Sequence, residues 1–188
     1  FAREMGVDTV PAIWLDRIVD YLRGLGVPVR RHPDAEANQQ PNVRLRLADA
    51  EQITDPDILE GEGVFMASGC AECHVPELKT GSAHPFAQFH NITIRPFSDL
   101  LLWDMGPDLC AESGEGGAGP YEWRTAPLWG TRLQEQVTGH LSLLHDGRAT
   151  TLDQAIRLHG GVARDAREAY LERSESERER LLLFLRSL

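Results

Sequence analysis

The chain has 188 residues, which is enough for one domain with a sizeable core and an additional arm. Asp and Glu number 29 and Lys and Arg number 19, so the formal net charge is −10 at pH 7 and nucleic acid is not an expected partner. No apolar run approaches the roughly 18 residues that cross a membrane, so no transmembrane segment is expected in this chain.

The first predicted element is a helix over residues 11–22. Trp14, Ile18 and Leu22 recur on one face of this segment at helical spacing. The glycines and the proline at positions 24–28 are expected to end the helix, because they favour turns and cannot continue it.

The composition changes at residues 30–50, which are rich in Pro, Asn, Gln, Asp and Arg and show no periodicity. Such a stretch is typical of an exposed linker. We therefore predict an N-terminal helix and linker arm over residues 1–50 and a separate main domain over residues 51–188. Because the chain opens at Phe1 without a basic or apolar leader, we expect residue 1 to be an internal or processed position.

Three capping patterns predict further helices downstream. Thr54-Asp55-Pro56-Asp57 places a cap, a proline and acids at the start of a helix that leads into Cys70. Thr151 begins a helix that is expected to end at Gly160-Gly161, and Ser174 begins the last helix. That last helix is expected to bury Leu181, Leu182, Phe184, Leu185 and Leu188.

The segments between these helices are less regular. Residues 76–94 are predicted to form a loop with a short alternating piece near 91–95. The run at 98–103 predicts one short buried helix, and the glycine-rich residues 113–120 predict a surface loop. Cys110 has no neighbouring cysteine and is predicted to be a buried thiol.

Cys70-Ala71-Glu72-Cys73-His74 has the spacing of covalent haem attachment. The two thiols reach neighbouring vinyl groups of the porphyrin, and the histidine that follows at once is held under the iron. A zinc half-site would need a second Cys or His pair at short spacing, which Cys110, His84 and His90 do not supply. A thioredoxin-like redox pair would be expected to follow a strand, whereas this pair follows a predicted helix. The motif therefore predicts one covalently bound haem c.

The occupant of the sixth iron position decides what such a site does. A second strong ligand favours electron transfer, whereas an open position admits peroxide or another small substrate. The residues alone leave four candidate ligands open, namely Met105, His140, His145 and His159. Because haem c is attached outside the cytoplasm, the motif also predicts a periplasmic or extracellular protein.

Five segments follow one another in an order that resembles a known family. They are the attachment pentapeptide with Pro76, residues 98–107, residues 122–130, residues 144–149 and residues 155–161. Together they resemble the C-terminal haem domain of the bacterial di-haem oxidoreductases, also called thiol oxidoreductases. These proteins are related to di-haem cytochrome c peroxidases and to MauG-type enzymes.

The resemblance implies a mainly α, cytochrome-c-like domain that wraps one c-type haem, with long loops, little or no sheet and an N-terminal arm. In the peroxidase relatives, a His-x-Gly turn precedes by about one short helix the residue that binds the distal face of the C-terminal haem. Here His145-Asp146-Gly147 precedes the helix that carries His159, so the resemblance places His159 at a ligand position often held by Met. His74 and His159 are therefore the predicted iron ligands. A purely structural helix-terminal role for His159 and ligation by Met105 stay open.

The predicted cofactor-binding residues are Cys70, Cys73, His74, His159, Arg124 and Trp103. The Arg124 guanidinium matches the carboxylate fork of a haem propionate, and the Trp103 indole could line the porphyrin or pack in the core. The family usually has His where this chain has Trp103. A second departure is that the family has two haem domains, whereas this chain carries one attachment motif.

The predicted function is electron transfer through one covalently bound haem, as part of a di-haem oxidoreductase or of a multi-haem assembly. Its partner would be a second haem domain or a redox partner protein. The alternative is a self-contained haem peroxidase or thiol oxidoreductase with an open iron site, so whether the chain is itself an enzyme stays open. A third hypothesis is an interaction subunit that docks through its N-terminal arm.

Overall fold

The structure is a computed structural model, and it describes residues 11–25 and 55–188. Within these residues the fold is mainly α, as predicted. The helices are α1 (Ala12–Arg23), α2 (Pro56–Ala67), α3 (Thr131–Thr138), α4 (Leu152–Arg157), α5 (Arg164–Leu171) and α6 (Glu175–Arg186). The strands are β1 (Leu78–Lys79), β2 (Thr93–Ile94), β3 (Leu102–Asp104) and β4 (Glu122–Arg124). None of the described helices is long and apolar enough to span a membrane.

The described residues form two compact units. Residues 11–25 and 80–92 make up the smaller unit, and residues 55–79 and 93–188 make up the larger one. The boundary predicted at residue 50 stays a prediction, because the predicted linker lies outside the described residues.

The smaller unit contains α1 and a hydrogen-bonded loop. The helix occupies the predicted position, and Gly24 caps its end. Its large apolar side chains are between 40% and 69% exposed, so the face predicted from Trp14 is not buried in a core. In the loop, the Thr80 hydroxyl donates to the Phe89 carbonyl at 2.6 Å, and His84 and His90 are half-buried.

The three predicted helix starts are confirmed in the larger unit. The Asp55 side chain accepts a hydrogen bond from the Asp57 N–H at 2.8 Å at the start of α2. Thr151 accepts from the Gln154 N–H at 3.1 Å at the start of α4. Ser174 and Glu177 form a reciprocal capping box at the start of α6. Each cap satisfies backbone donors that the first helical turn leaves unpaired.

The core of the larger unit forms where α2 packs on α6. A Cβ atom at Gly61 would clash with the Arg180 carbonyl. Glycine at position 61 therefore allows the backbones of α2 and α6 to approach more closely than a residue with a side chain would. Phe65 and Phe184 have ring centroids 5.3 Å apart across this contact. Of the five apolar residues predicted to be buried, Leu182 is half-buried, whereas Leu181, Phe184, Leu185 and Leu188 are buried.

The short buried helix predicted at residues 98–103 is wrong. The Ser98 hydroxyl accepts from the Leu100 N–H, and the Asp99 carboxylate accepts from the Leu101 N–H, both at 2.9 Å. These side chains capture the backbone donors two residues further on, which favours a turn over a helix. Leu100 has a φ of 61°, and β3 then begins at Leu102. The leucines at 100–102 are 46–57% exposed.

Two short antiparallel ladders complete the larger unit. β1 pairs with β2, and β3 pairs with β4 so that Trp103 lies opposite Trp123. The alternating piece predicted near 91–95 thus corresponds to β2, whereas α3, α5 and the other strands were not predicted. Residues 113–120 form the predicted surface loop. The prediction of a buried thiol at Cys110 is wrong, because this residue is exposed beyond a 3-10 turn at Pro107–Leu109.

Candidate functional site

The attachment turn, residues 70–74, begins three residues after the end of α2. Gly69 adopts a left-handed conformation with a φ of 81°, which turns the chain out of the helix. A 3-10 turn then spans Cys70–Glu72, and the His74 N–H donates to the Cys70 carbonyl at 3.0 Å. Both cysteine side chains are half-buried. The turn therefore presents two thiols and one imidazole from five consecutive residues.

His74 is held in one orientation by a backbone carbonyl. Its Nδ1 lies 3.0 Å from the carbonyl oxygen of Phe97. A carbonyl only accepts hydrogen bonds, so Nδ1 carries the proton and Nε2 is the nitrogen available to a metal. Burial lowers the pKa of His74 to about 4, against weaker opposing hydrogen bonds to backbone carbonyls. The ring is therefore neutral at pH 7, as a metal ligand must be.

The strap, residues 97–99, holds the attachment turn by backbone hydrogen bonds. The Ser98 N–H donates to the Val75 carbonyl and the Asp99 N–H donates to the Cys73 carbonyl, both at 2.9 Å. Together with the bond from His74 to Phe97, these contacts link the three residues of the strap to the last two residues of the turn and to Val75, which follows the turn. The turn is thus fixed by a segment that lies over twenty residues further along the chain.

His159 lies two residues beyond α4 and is also held through Nδ1. Its Nδ1 donates to the Ala155 carbonyl at 2.8 Å, which again leaves Nε2 available. Burial lowers the pKa of His159 as well, and the nearby positive charge of Arg167 acts in the same direction. The Arg167 guanidinium donates to the His159 carbonyl at 3.0 Å and fixes the backbone at this point.

The two glycines after His159 permit a close backbone approach. A Cβ atom on Gly160 would lie 2.8 Å from the Met105 carbonyl oxygen, and one on Gly161 would clash with the Asp104 carbonyl. Gly161 also has a φ of 52°, which favours glycine. The chain therefore turns sharply after His159 and packs against residues 104–106.

The structure brings the imidazoles of His74 and His159 together. Their ring centroids lie 6.4 Å apart, with the ring planes inclined by 50°. Imidazole nitrogen binds a first-row metal ion at about 2.0 Å, so two imidazoles on opposite sides of one ion have centroids roughly 6 Å apart. The separation of these two rings therefore fits axial ligation of one haem iron.

The other candidate axial ligands have different surroundings. His145 stacks on Trp123 with centroids 3.6 Å apart and planes inclined by 10°. His140 is exposed, and its Nδ1 lies 3.1 Å from the Thr138 carbonyl. Met105 is half-buried, and its N–H donates to the Tyr121 carbonyl at 2.9 Å beside the turn that follows His159.

Trp103 is connected to the attachment turn, whereas Arg124 lies on the surface. The Trp103 indole N–H donates to the Asp99 carboxylate at 2.9 Å, and the Asp99 N–H binds the Cys73 carbonyl. Arg124 is exposed on β4, directly opposite Leu102 of β3. A role of either side chain in cofactor binding stays a prediction.

The surroundings of the two thiols do not favour a redox pair. Within residues 11–25 and 55–188, no group of three or more His, Cys, Asp or Glu side chains is placed to hold a metal ion. Burial raises the pKa of Cys70 to about 11 and also raises the pKa of Cys73. Thiol pairs that exchange disulfides have a lowered pKa instead, because the thiolate is the nucleophile.

Comparison with known families agrees with this geometry. Residues 12–188 match the model of the family described as "Di-haem oxidoreductase, putative peroxidase". The chain belongs to the di-haem oxidoreductase family. This confirms the family resemblance predicted from the ordered motifs. Searches of curated proteins and of solved structures gave no match.

Membership of the di-haem oxidoreductase family establishes the general chemistry of this chain. The family name implies haem as the cofactor and haem-based redox chemistry as the function. The buried, neutral imidazoles of His74 and His159 fit that cofactor, since iron is bound by deprotonated histidine nitrogen. The two half-buried thiols fit it as well.

The site residues that were not predicted from the sequence include Phe97, Asp99, Ala155 and Arg167. Phe97 and Ala155 act through their carbonyl oxygens, a group that every residue has, so nothing in their side chains marks them. Asp99 acts partly through its N–H. Its position in the ordered motif at 98–107 was the only available sign of a role.

Proposed function

We propose that this chain is an electron-transfer domain of a di-haem oxidoreductase or multi-haem assembly, with one covalently bound haem c. Cys70 and Cys73 would hold the haem through two thioether bonds, and His74 and His159 would bind its iron. The observation that carries this proposal is the pair of buried imidazoles 6.4 Å apart, each with Nε2 left available. When bound, the haem supplies reversible one-electron chemistry at iron.

The protein would hold the two histidine ligands in the same positions in both oxidation states of the iron. Each imidazole is anchored through Nδ1 by a backbone carbonyl, and such outer hydrogen bonds fix ring orientation and ligand basicity. Rings held in place by the backbone need little rearrangement when an electron arrives or leaves. If both His74 and His159 bind the iron, they would leave no position for a small substrate, which favours electron relay over peroxide chemistry.

Arg124 and Trp103 would support the cofactor from the β3–β4 ladder. An exposed guanidinium can pair with a propionate carboxylate at the solvent edge of a porphyrin. The half-buried Trp103 indole donates a hydrogen bond to the Asp99 carboxylate. Asp99 follows Ser98, which binds the Val75 carbonyl next to His74. We assign the Trp103 indole to the wall of the haem pocket.

The proposal includes a partner and a location. The family is named for two haems, and this chain carries one attachment motif, so the second haem would be held by another domain or by a partner protein. Attachment of haem to thiols takes place in oxidising compartments outside the cytoplasm, which supports a periplasmic or extracellular protein.

The test is the spectroscopy of the ferric, haem-loaded protein. We expect a low-spin signal by electron paramagnetic resonance and an optical spectrum that cyanide and peroxide leave unchanged. The mass of the denatured protein should exceed that of the polypeptide by one haem, which does not extract into acidified organic solvent. A high-spin spectrum that responds to cyanide or peroxide would instead identify a self-contained peroxidase or thiol oxidoreductase.

A further inference from the structure

Phe97 has a backbone conformation that is unusual for a bulky residue. Its φ is 51°, in the left-handed region that favours glycine, and its side chain is 2% exposed. A left-handed conformation costs an aromatic residue free energy, because Cβ approaches the backbone too closely. Such a conformation persists only where the surroundings enforce it, and it is often found at functional positions.

The surroundings fix both sides of this residue. The Phe97 ring packs edge-on against Phe65 and Phe184, with centroid distances of 6.0 and 5.5 Å. Immediately before it, Pro96 is fully buried, and its carbonyl accepts a hydrogen bond from the Leu128 N–H at 2.8 Å. With the ring and the preceding residue anchored, the backbone dihedral angles of Phe97 determine the direction of the next peptide group.

That peptide group is held at both ends by the attachment turn and the residue that follows it. Its carbonyl, from Phe97, accepts the hydrogen bond from His74 Nδ1, and its N–H, from Ser98, donates to the Val75 carbonyl. One residue later, the Asp99 N–H donates to the Cys73 carbonyl. The left-handed Phe97 is therefore the point at which the chain turns from the aromatic core toward the proximal histidine.

We propose that Phe97 is a positioning residue for His74, acting through its backbone conformation and not through contact with the haem. The aromatic cluster of Phe65, Phe97 and Phe184 holds the left-handed conformation, and this conformation aims the Phe97 carbonyl at Nδ1. A hydrogen bond at Nδ1 makes the imidazole a stronger electron donor and so stabilises the ferric state. Phe97 thereby sets the reduction potential of the electron-transfer haem, an inference that rests on the proposed function.

Two substitutions distinguish the contribution of the Phe97 backbone conformation from that of its side chain. Both Phe97→Gly and Phe97→Val remove the aromatic ring and its packing. Glycine adopts a positive φ without strain, whereas the β-branched valine opposes it. In F97G the backbone bonds of Ser98 and Asp99 remain and a positive φ costs no strain, so the carbonyl should keep its position. In F97V the same bonds are opposed by strain, so the carbonyl should lose its position. Leu181→Ala, at another fully buried position, is the control for lost packing alone.

The measurements are the reduction potential and the proton resonance of His74 Nδ1 in the haem-loaded, reduced protein. We expect F97G and L181A to keep the unsubstituted potential and a slowly exchanging Nδ1 proton. F97V should shift the potential in the positive direction and exchange this proton at least tenfold faster. If F97V fails to fold, Phe97→Leu replaces it, because leucine retains more apolar volume and still disfavours a positive φ.

Equal potentials in F97G and F97V, or equal shifts in both, would overturn the positioning role and leave Phe97 as a packing residue. Failure of the proposed function is recognised separately. If the unsubstituted protein contains no low-spin haem, the electron-transfer proposal fails before any variant is compared.

Discussion

His159 and His74 lie with their ring centroids 6.4 Å apart, although His74 follows α2 and His159 follows α4. Each ring is oriented by an Nδ1–H hydrogen bond to a backbone carbonyl and not by the other ring. Removing one imidazole should therefore leave the other in place. This independence makes the two ligand positions separately testable.

Replacing His159 by Ala should convert the ferric haem from low-spin to high-spin, because it opens one axial position. The change is measured by electron paramagnetic resonance and by the optical spectrum, and cyanide should then bind. His159→Met should keep a six-coordinate haem and raise the reduction potential, since Met/His ligation stabilises the ferrous state.

His140→Ala is the matched control for that experiment. His140 is exposed, and its ring is hydrogen-bonded to the Thr138 carbonyl, two residues earlier in the chain. It should leave the spin state and the potential unchanged. An unaltered low-spin spectrum in His159→Ala would exclude His159 as a ligand and direct attention to Met105.

Replacing Cys73 by Ala should leave one thioether bond, and replacing both Cys70 and Cys73 by Ala should leave none. The single variant should retain covalent haem with an α-band shifted to longer wavelength in the pyridine haemochrome spectrum. The double variant should lose its haem to acidified organic solvent. Cys110→Ala, at the exposed cysteine, is the control and should change neither result. Covalent haem in the double variant would contradict the attachment assignment.

Two glycines of α2 should respond to alanine in opposite directions. A Cβ atom at Gly61 would clash with the Arg180 carbonyl, so Gly61→Ala should lower the free energy of unfolding by roughly 1–3 kcal/mol. At Gly63 nothing lies within 4 Å of an added Cβ atom, so Gly63→Ala should raise the free energy of unfolding by about 0.5–1 kcal/mol. Urea unfolding measures both, and equal effects would contradict the helix crossing.

Acid should weaken the contact between α4 and α5. The hydrogen bond from Arg157, followed by that from the Tyr170 hydroxyl at 2.6 Å, holds the pKa of Asp153 below its ordinary value. A carboxyl with a lowered folded-state pKa stabilises the protein above its unfolded-state pKa, and this stabilisation disappears as the pH falls through the folded value. The free energy of unfolding should therefore fall below about pH 4.

Asp153→Asn should remove this part of the acid dependence. It should also lower the free energy of unfolding at pH 7 by about 1 kcal/mol, because the charged acceptor of the Tyr170 hydrogen bond is lost. Urea unfolding at several pH values tests both expectations. Asp165→Asn serves as the control, since its carboxylate is 92% exposed. An identical pH profile for Asp153→Asn and the unsubstituted protein would refute the role of Asp153.

Structure that depends only on neighbouring residues could be predicted from the sequence. The caps at Asp55, Thr151 and Ser174 form within three residues of each helix start, so composition alone marks them. The attachment pentapeptide is equally local. Prediction failed at residues 98–103, where apolar composition favoured a helix and the side chains of Ser98 and Asp99 enforce a turn.

The candidate site could be predicted only in part, because its two halves meet through long-range contacts. The resemblance placed His159 at a ligand position, but no spacing could give its distance from His74. The positive φ of Phe97 also has no sign in the sequence, since a phenylalanine normally avoids it. α3 was missed because its sequence is mostly polar and its N-cap, Gly130, contributes no side-chain hydrogen bond.

The crossing of α2 and α6 at Gly61 has a consequence for biosynthesis. α2 leads into the attachment turn, and it rests on the last helix of the described chain, so the turn cannot reach its final position until α6 has been synthesised. Contacts between such distant segments form late and slowly. The cysteine pair therefore emerges from the ribosome well before its scaffold exists, and a haem delivered at that stage would meet an unfolded target.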